Sequence, residues 1–215
     1  MLKWQGKRKM SEEDDEIVTP PIKNFISGNF AKKLFGGNDN INIIDNNIYF
    51  QDDISMDSIS ALNKDLRLLQ NKLLEMGRNY DINPPPIKLH LTTYGGCIYA
   101  ALSAIDCIKE LKVEVHTIID GYVASAGTLI SVCGSKRFIK KHSFMLIHEL
   151  RSGVWGKMSE IEEETENLKN LMDCIYKIYE DHTTITKKEL KELLKKDCNW
   201  NATKCIKNGL CDKII

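Results

Sequence analysis

The sequence predicts an α/β fold built from repeated strand–helix units, and three observations support this prediction. Strand-like and helix-like segments alternate from about residue 47 to the C-terminus. Two strand-like segments, Ile87–Thr93 and Val113–Ile119, enclose an amphipathic helix, and such a unit normally forms a parallel pair with a right-handed crossover. A chain of 215 residues, 42% of them hydrophobic, can bury one substantial core.

The segment before this unit divides into a polar N-terminal region and the start of the alternating pattern. Residues 1–46 include the acidic cluster Glu12–Glu16 and the glycine-rich stretch Gly36–Asn40, so we predict a flexible extension there and one folded domain over residues 47–215. The domain is predicted to open with a strand, an amphipathic helix and a polar linker, in the order Ile48–Phe50, Met56–Met76 and Gly77–Pro86.

A serine between two small residues is the most informative local feature. Ser125 lies between the second strand and the helix-like run Thr128–Cys133, in the segment Gly121–Gly127 (Gly-Tyr-Val-Ala-Ser-Ala-Gly). Small neighbours leave its hydroxyl uncovered, and the first amides of a helix direct partial positive charge toward it. Serine is also a common helix N-cap, so position alone leaves a cap and a nucleophile both open.

A second glycine turn, Tyr94-Gly95-Gly96, follows the first strand and precedes a helix predicted over Cys97–Leu111. Because parallel strands end at the same edge of a sheet, both turns are expected at one carboxyl edge. The backbone amides of Gly96 and Ala126 could therefore converge beside Ser125, although two ordinary tight turns explain the pattern as well.

A serine nucleophile requires a base, and His148 is the strongest candidate because it ends the apolar run Ser143–Ile147. The other histidines lie within strands, after a lysine pair or at the end of a polar helix: His90, His116, His142 and His182. Asp197 follows a helix predicted over Lys187–Lys196 and capped at Thr186, and its position alone does not distinguish it from a solvated carboxylate.

Between His148 and that helix lies a glycine-containing segment, Arg151–Gly156, followed by a long helix. A capping box at Ser159–Glu162 starts this helix, which is predicted to run to about Asp181. Its apolar stripe fits packing on the chain's own core or a subunit interface equally well.

Taken together, these blocks resemble the proteolytic subunit of Clp-type serine proteases. Gly95-Gly96, Gly121–Gly127, Met145–His148 and Asp197 occur in the order of that family's signature blocks, and Asn208–Asp212 is similar to its final segment. The chain departs from the family pattern at Tyr94, before the glycine pair, at Glu149, beside the histidine, and at Lys195-Lys196, before Asp197.

The resemblance implies a ClpP/crotonase-like fold with a protruding strand–helix handle, and a Clp protease-like catalytic domain over residues 47–215. It implies a catalytic triad of Ser125, His148 and Asp197, an oxyanion hole from Gly96 and Ala126, and substrate binding by the strand of the handle. That strand corresponds to Gly153, Val154 and Trp155. It also implies unfolded protein or peptide as substrate, a homo-oligomer of stacked rings that is commonly a tetradecamer, and an ATP-driven unfoldase as partner.

Composition narrows the classes of function. The formal net charge is zero, which argues against nucleic acid or an anionic membrane as partner, and no apolar run resembles a membrane span or a secretory signal. Seven cysteines without a Cys-x-x-Cys pair favour free thiols in a reducing, cytoplasmic compartment and argue against a metal site. The mechanism requires no cofactor. Two alternatives remain: a crotonase-like acyl-CoA enzyme and an inactive ring-scaffold subunit.

Overall fold

In the computed structural model, which describes residues 41–215 apart from the side chain at position 198, the chain forms one mixed sheet and a set of helices. The strands are β1 (Ile41–Ile44), β2 (Asn47–Gln51), β3 (Ile87–Thr93), β4 (Val115–Ala124), β5 (Lys136–Ile139), β6 (Phe144–Ile147), β7 (Cys198–Asn201) and β8 (Lys213–Ile214). The helices are α1 (Met56–Tyr80), α2 (Ile98–Glu110), α3 (Ala126–Val132), α4 (Met158–His182), α5 (Lys187–Leu193) and α6 (Ala202–Lys207).

The sheet runs in the order β1-β2-β3-β4-β5-β8, with β6 and β7 branching from β4. All pairs from β2 to β8 along this order are parallel, as is β4 with β6, whereas β1–β2 and β6–β7 are antiparallel. The predicted strand–helix–strand unit is therefore confirmed as β3–α2–β4, a parallel pair. The predicted α/β fold is confirmed with it.

Strand β4 pairs with two different strands along its length, and the second pairing extends to the end of the strand. Its first half pairs with β5 and its second half with β6, while the register against β3 shifts between Leu91 and Thr93. Gly121 lies at the change with φ +85°, a conformation that glycine adopts without steric cost. Beyond Gly121, β4 continues to Ala124, five residues past the predicted end at Ile119.

The core lies on one face of the sheet, under the helices. Ile87, Leu89 and Leu91 of β3 are fully buried and pack in a cluster with the buried sides of α1 and α2. The alternate positions Lys88 and His90 point to the opposite face because successive side chains of a strand alternate. The carboxyl ends of β3 and β4 thus stand on a packed base.

The helix boundaries follow the caps. Helix α1 ends at Tyr80, one turn later than predicted, where Asp81 adopts a left-handed conformation and its N–H donates to the carbonyl of Gly77. The capping residues predicted for α4 are wrong by two positions, because Glu160 accepts from the Lys157 N–H at 2.9 Å. The predicted cap of α5 is confirmed, with Thr186 and Glu189 hydrogen-bonded to each other's backbone.

Other differences concern short segments. β1 lies within the stretch predicted as a flexible extension and pairs with β2, and residues 1–40 of that stretch lie outside the described residues. The described part of the chain contains no helix that is both long enough and apolar enough to cross a membrane.

Candidate active site

Ser125 occupies a strained turn between β4 and α3. Its backbone has φ +54° and ψ −128°, a region that a residue with a side chain rarely adopts, at a cost of about 1–3 kcal/mol. Its N–H donates to the carbonyl of Leu146 in β6 at 2.9 Å, and its carbonyl accepts from the N–H and hydroxyl of Thr128 at 2.9 and 2.6 Å. Ser125 is thus no ordinary N-cap, because its side chain makes no capping hydrogen bond.

A buried hydrogen-bond chain supports this turn from the core. The hydroxyl of Tyr179, in α4, lies 2.6 Å from the hydroxyl of Thr128, which in turn donates to the carbonyl of Ser125. Tyr179 is almost completely buried, and burial raises the pKa of its phenol, so the hydroxyl stays protonated. Sequence reasoning missed both residues, because a pair 51 positions apart leaves no local signal.

The glycine turn after β3 packs directly against Ser125. A Cβ on Gly95 would lie 2.6 Å from the Cβ of Ser125, and one on Gly96 would lie 2.2 Å from the carbonyl oxygen of Ile54. Ile54 holds the turn through hydrogen bonds to the Gly95 carbonyl, 2.8 Å, and from the Cys97 N–H, 2.7 Å. Within the described residues the Gly96 N–H makes no hydrogen bond of its own, which leaves it available to an oxyanion.

His148 follows β6, and its ring has a defined tautomer. Nδ1 lies 2.6 Å from the carbonyl oxygen of Glu149. Since a carbonyl oxygen only accepts, Nδ1 carries the hydrogen and Nε2 is the nitrogen able to accept a proton. In the neutral ring this contact leaves Nε2 as the nitrogen that a general base would use.

Asp197 is placed differently from the other predicted site residues. Its carboxylate forms an ion pair with the guanidinium of Arg151, and both side chains are more than half exposed. In the part of the chain that the structure describes, no hydrogen bond joins Asp197 to His148, or His148 to Ser125. Burial raises the pKa of the Tyr122 phenol, and the charges of Tyr94 and Asp197 raise it further.

A cavity of about 220 Å³ joins the remaining site residues. Ser125, Ala126, Gly96 and His148 all line it, so the structure brings together four of the five predicted catalytic and oxyanion residues. Its apolar wall consists of Ile98, Leu129, Leu150, Ile175 and Tyr179. Ser125, His148, Gly96 and Ala126 therefore share a cavity with a surface suited to an apolar side chain.

The predicted substrate-binding residues lie apart from regular structure. Gly153, Val154 and Trp155 fall in the segment between β6 and α4, where the structure has no strand. Trp155 is 99% exposed and Val154 44%. Their backbone thus pairs with no strand among residues 41–215, in contrast to the strand that the resemblance implies.

Comparison with known proteins identifies the family to which the chain belongs. A family model described as Clp protease matches residues 48–215. The chain belongs to the Clp protease family. The resemblance that the signature blocks suggested is confirmed.

Two curated proteins illustrate this similarity. The ATP-dependent Clp protease proteolytic subunit 2 of Treponema denticola is 34% identical over 131 residues, 60% of this chain and 66% of that protein. The ATP-dependent Clp protease proteolytic subunit of Deinococcus radiodurans is 28% identical over 131 residues, 60% of this chain and 64% of that protein. The match spans just under two thirds of the length of each relative.

Proposed function

We propose that this Clp protease family member is a serine endopeptidase that cleaves unfolded polypeptides. The observation that carries the proposal is the strained Ser125, which lines one cavity with His148 and with the amides of Gly96 and Ala126. Strained backbone at a non-glycine residue concentrates at functional sites, and here the strained residue lines that cavity.

The proposed chemistry uses these residues in sequence. Nε2 of His148 accepts the hydroxyl proton of Ser125 as Oγ attacks a peptide carbonyl carbon, and the oxyanion receives hydrogen bonds from Gly96 and Ala126. The imidazolium then protonates the leaving amine as the C–N bond breaks. Water, deprotonated by His148, attacks the acyl-enzyme and releases the carboxylate product, regenerating the serine. The chemistry requires no cofactor.

In this proposal Asp197 is the acid of the triad, which stabilises the imidazolium through Nδ1. In the described state the Glu149 carbonyl occupies that hydrogen bond, so Asp197 has to replace it during turnover. An extended peptide would pair with the free backbone of Gly153, Val154 and Trp155 by strand addition.

The wider assembly is part of the same proposal. The names of the two relatives support action as the proteolytic subunit of an ATP-dependent protease. We therefore propose stacked homo-oligomeric rings, with a tetradecamer as the expected form, that receive chains from an ATP-driven unfoldase. The free thiols that the structure describes fit a reducing, cytoplasmic setting.

The test is covalent labelling and turnover of the purified chain. A fluorophosphonate should label Ser125, and Ser125→Ala should abolish labelling and reduce cleavage of an unfolded protein or a fluorogenic peptide by at least about 10⁴-fold. Ser60→Ala, which removes an exposed hydroxyl on α1, is the matched control and should retain both. Equal turnover in the Ser125→Ala protein would reject the proposal.

The ring-scaffold alternative is favoured by one observation, the pairing of Asp197 with Arg151 and not with His148. A scaffold would assemble but neither label nor cleave. Sedimentation of the purified chain together with labelling separates the two: rings that do not react with fluorophosphonate support the scaffold. An acyl-CoA enzyme would instead turn over a thioester in the Ser125→Ala protein.

A further inference from the structure

Arg151 contacts both parts of the proposed site, which are the cavity lined by Ser125 and His148, and Asp197. It lies in the segment between β6 and α4, and it lines the same cavity as Ser125 and His148. Its guanidinium binds the carboxylate of Asp197, which directly precedes β7. One side chain thus joins the cavity to the proposed acid.

Arg151 and His148 are alternative partners for the carboxylate of Asp197. The carboxylate binds Arg151, and Nδ1 of His148 donates to the Glu149 carbonyl instead. From this arrangement we infer that Arg151 is a positioning residue, which holds Asp197 away from His148 until the Arg151–Asp197 pair opens. The inference rests on the proposed function, since it assigns Asp197 a role in the same triad.

The size of the effect follows from the exposure of the pair. The Arg151 and Asp197 side chains are 71% and 53% exposed, and ion pairs of this kind contribute little because water screens them. The pair can therefore bias the site by no more than about fivefold. A bias of this size suits a contact that bound substrate reverses.

The neighbouring chain provides a way to open the pair. Gly153 lies two residues after Arg151, and no strand of the described chain pairs with the backbone from Arg151 to Lys157. A peptide that adds to Gly153–Trp155 would straighten this segment and move Arg151 with it. Release of Asp197 would then coincide with the arrival of substrate.

The test is the rate at which a fluorophosphonate labels Ser125 in the absence of peptide, because this rate reports how well the free enzyme activates the hydroxyl. Arg151→Gln removes the charge and should raise the rate by about two- to fivefold. Arg151→Lys retains a cation for Asp197 and should label close to the wild-type rate. Arg67→Gln is the control, since it breaks another exposed arginine–carboxylate pair, Arg67 with Glu110, and should leave the rate unchanged.

A second pair of variants shows whether Arg151 acts through Asp197. In an Asp197→Asn background, Arg151→Gln should no longer accelerate labelling. A gain that persists there, or slower labelling by Arg151→Gln in the natural background, would overturn the inference. Absence of Ser125 labelling in every variant, including the natural chain, would instead reject the proposed function.

Discussion

Replacement of Gly95 by alanine tests whether the glycine turn sets the position of the nucleophile. Gly95 has φ +97°, and an added Cβ would lie 2.6 Å from the Cβ of Ser125 and 2.9 Å from the carbonyl oxygen of Ala124. Neither neighbour is the free end of a flexible side chain. The alanine methyl therefore has to displace Ser125 or move its own turn.

The structure gives the magnitude. Carbon atoms in contact normally lie about 3.5 Å apart, so the two Cβ atoms overlap by about 0.9 Å. The positive φ costs about 1–3 kcal/mol, and a forced backbone shift adds about 1–3 kcal/mol. The free energy of unfolding should fall by about 2–6 kcal/mol. A displacement of nearly 1 Å should also slow the labelling of Ser125 by about 100-fold.

Gly121→Ala is a matched control for the backbone strain. Gly121 has φ +85°, but a Cβ there would meet no atom within 4 Å. Denaturant unfolding should therefore place Gly121→Ala about 1–3 kcal/mol below the natural protein, with Gly95→Ala lower still. If the two variants unfold alike and label Ser125 alike, the turn after β3 does not determine where the serine lies.

Three further predictions concern Tyr179, His90 and two cysteine thiols that differ in burial. Tyr179→Phe removes the hydrogen bond to Thr128 and should lower the free energy of unfolding by about 0.5–1.5 kcal/mol in denaturant titrations; no change would mean that this bond adds nothing. Burial lowers the pKa of His90, so the unfolded chain binds the proton more readily, and stability should fall as pH drops below about 6.5; His90→Gln should flatten this decline, and an unchanged pH profile would contradict it. Among the described thiols, Cys174 is exposed whereas burial raises the pKa of Cys205 to about 12, so a maleimide at pH 8 should modify Cys174 and spare Cys205, as peptide mass mapping would show.

The strand–helix–strand unit could be predicted because its signals are local. β3 alternates buried and partly exposed residues, as its sequence does, and α2 follows the 3.6-residue spacing of its apolar residues. Gly95-Gly96 and Ser125 lie at the ends of these elements, so a correct prediction of the elements also locates the two turns. The convergence of Gly96, Ser125 and Ala126 on one cavity follows from the parallel pairing.

The short strands could not be predicted in the same way, because they depend on partners distant in the chain. β8 has two residues, Lys213 and Ile214, which pair with Phe138 and Ile139 of β5. Pairing of this kind gives no periodicity to detect in a segment of that length. The change of partner along β4 near Gly121 likewise depends on two other strands, β5 and β6.

The charged contacts of the site were beyond sequence reasoning for a related reason. Arg151 and Asp197 are 46 positions apart, and Asp197 follows a helix rich in lysine and glutamate. A sequence shows which residues could form ion pairs but not which partner prevails, since several combinations differ by less than an exposed pair contributes. The resemblance implies Asp197 as the acid of the triad, and the structure shows that it contacts Arg151.

The position of Ser125 depends on interactions from three separate elements, and this links the stability of the fold to the site. The strain of its turn is opposed by the Leu146 carbonyl in β6, by Thr128 in α3 and, through Thr128, by Tyr179 in α4. Helix α4 also packs against the cavity through Ile175. A shift of α4 would therefore reach Ser125 through the buried Tyr179–Thr128 contact, whereas a shift of the exposed Arg151 segment would reach Asp197 through their ion pair. Hydrogen bonds to the protein interior thus hold Ser125, the proposed nucleophile, whereas a weak exposed pair holds Asp197, the proposed acid. Asp197 is therefore the part of the proposed site that can move at little cost in free energy.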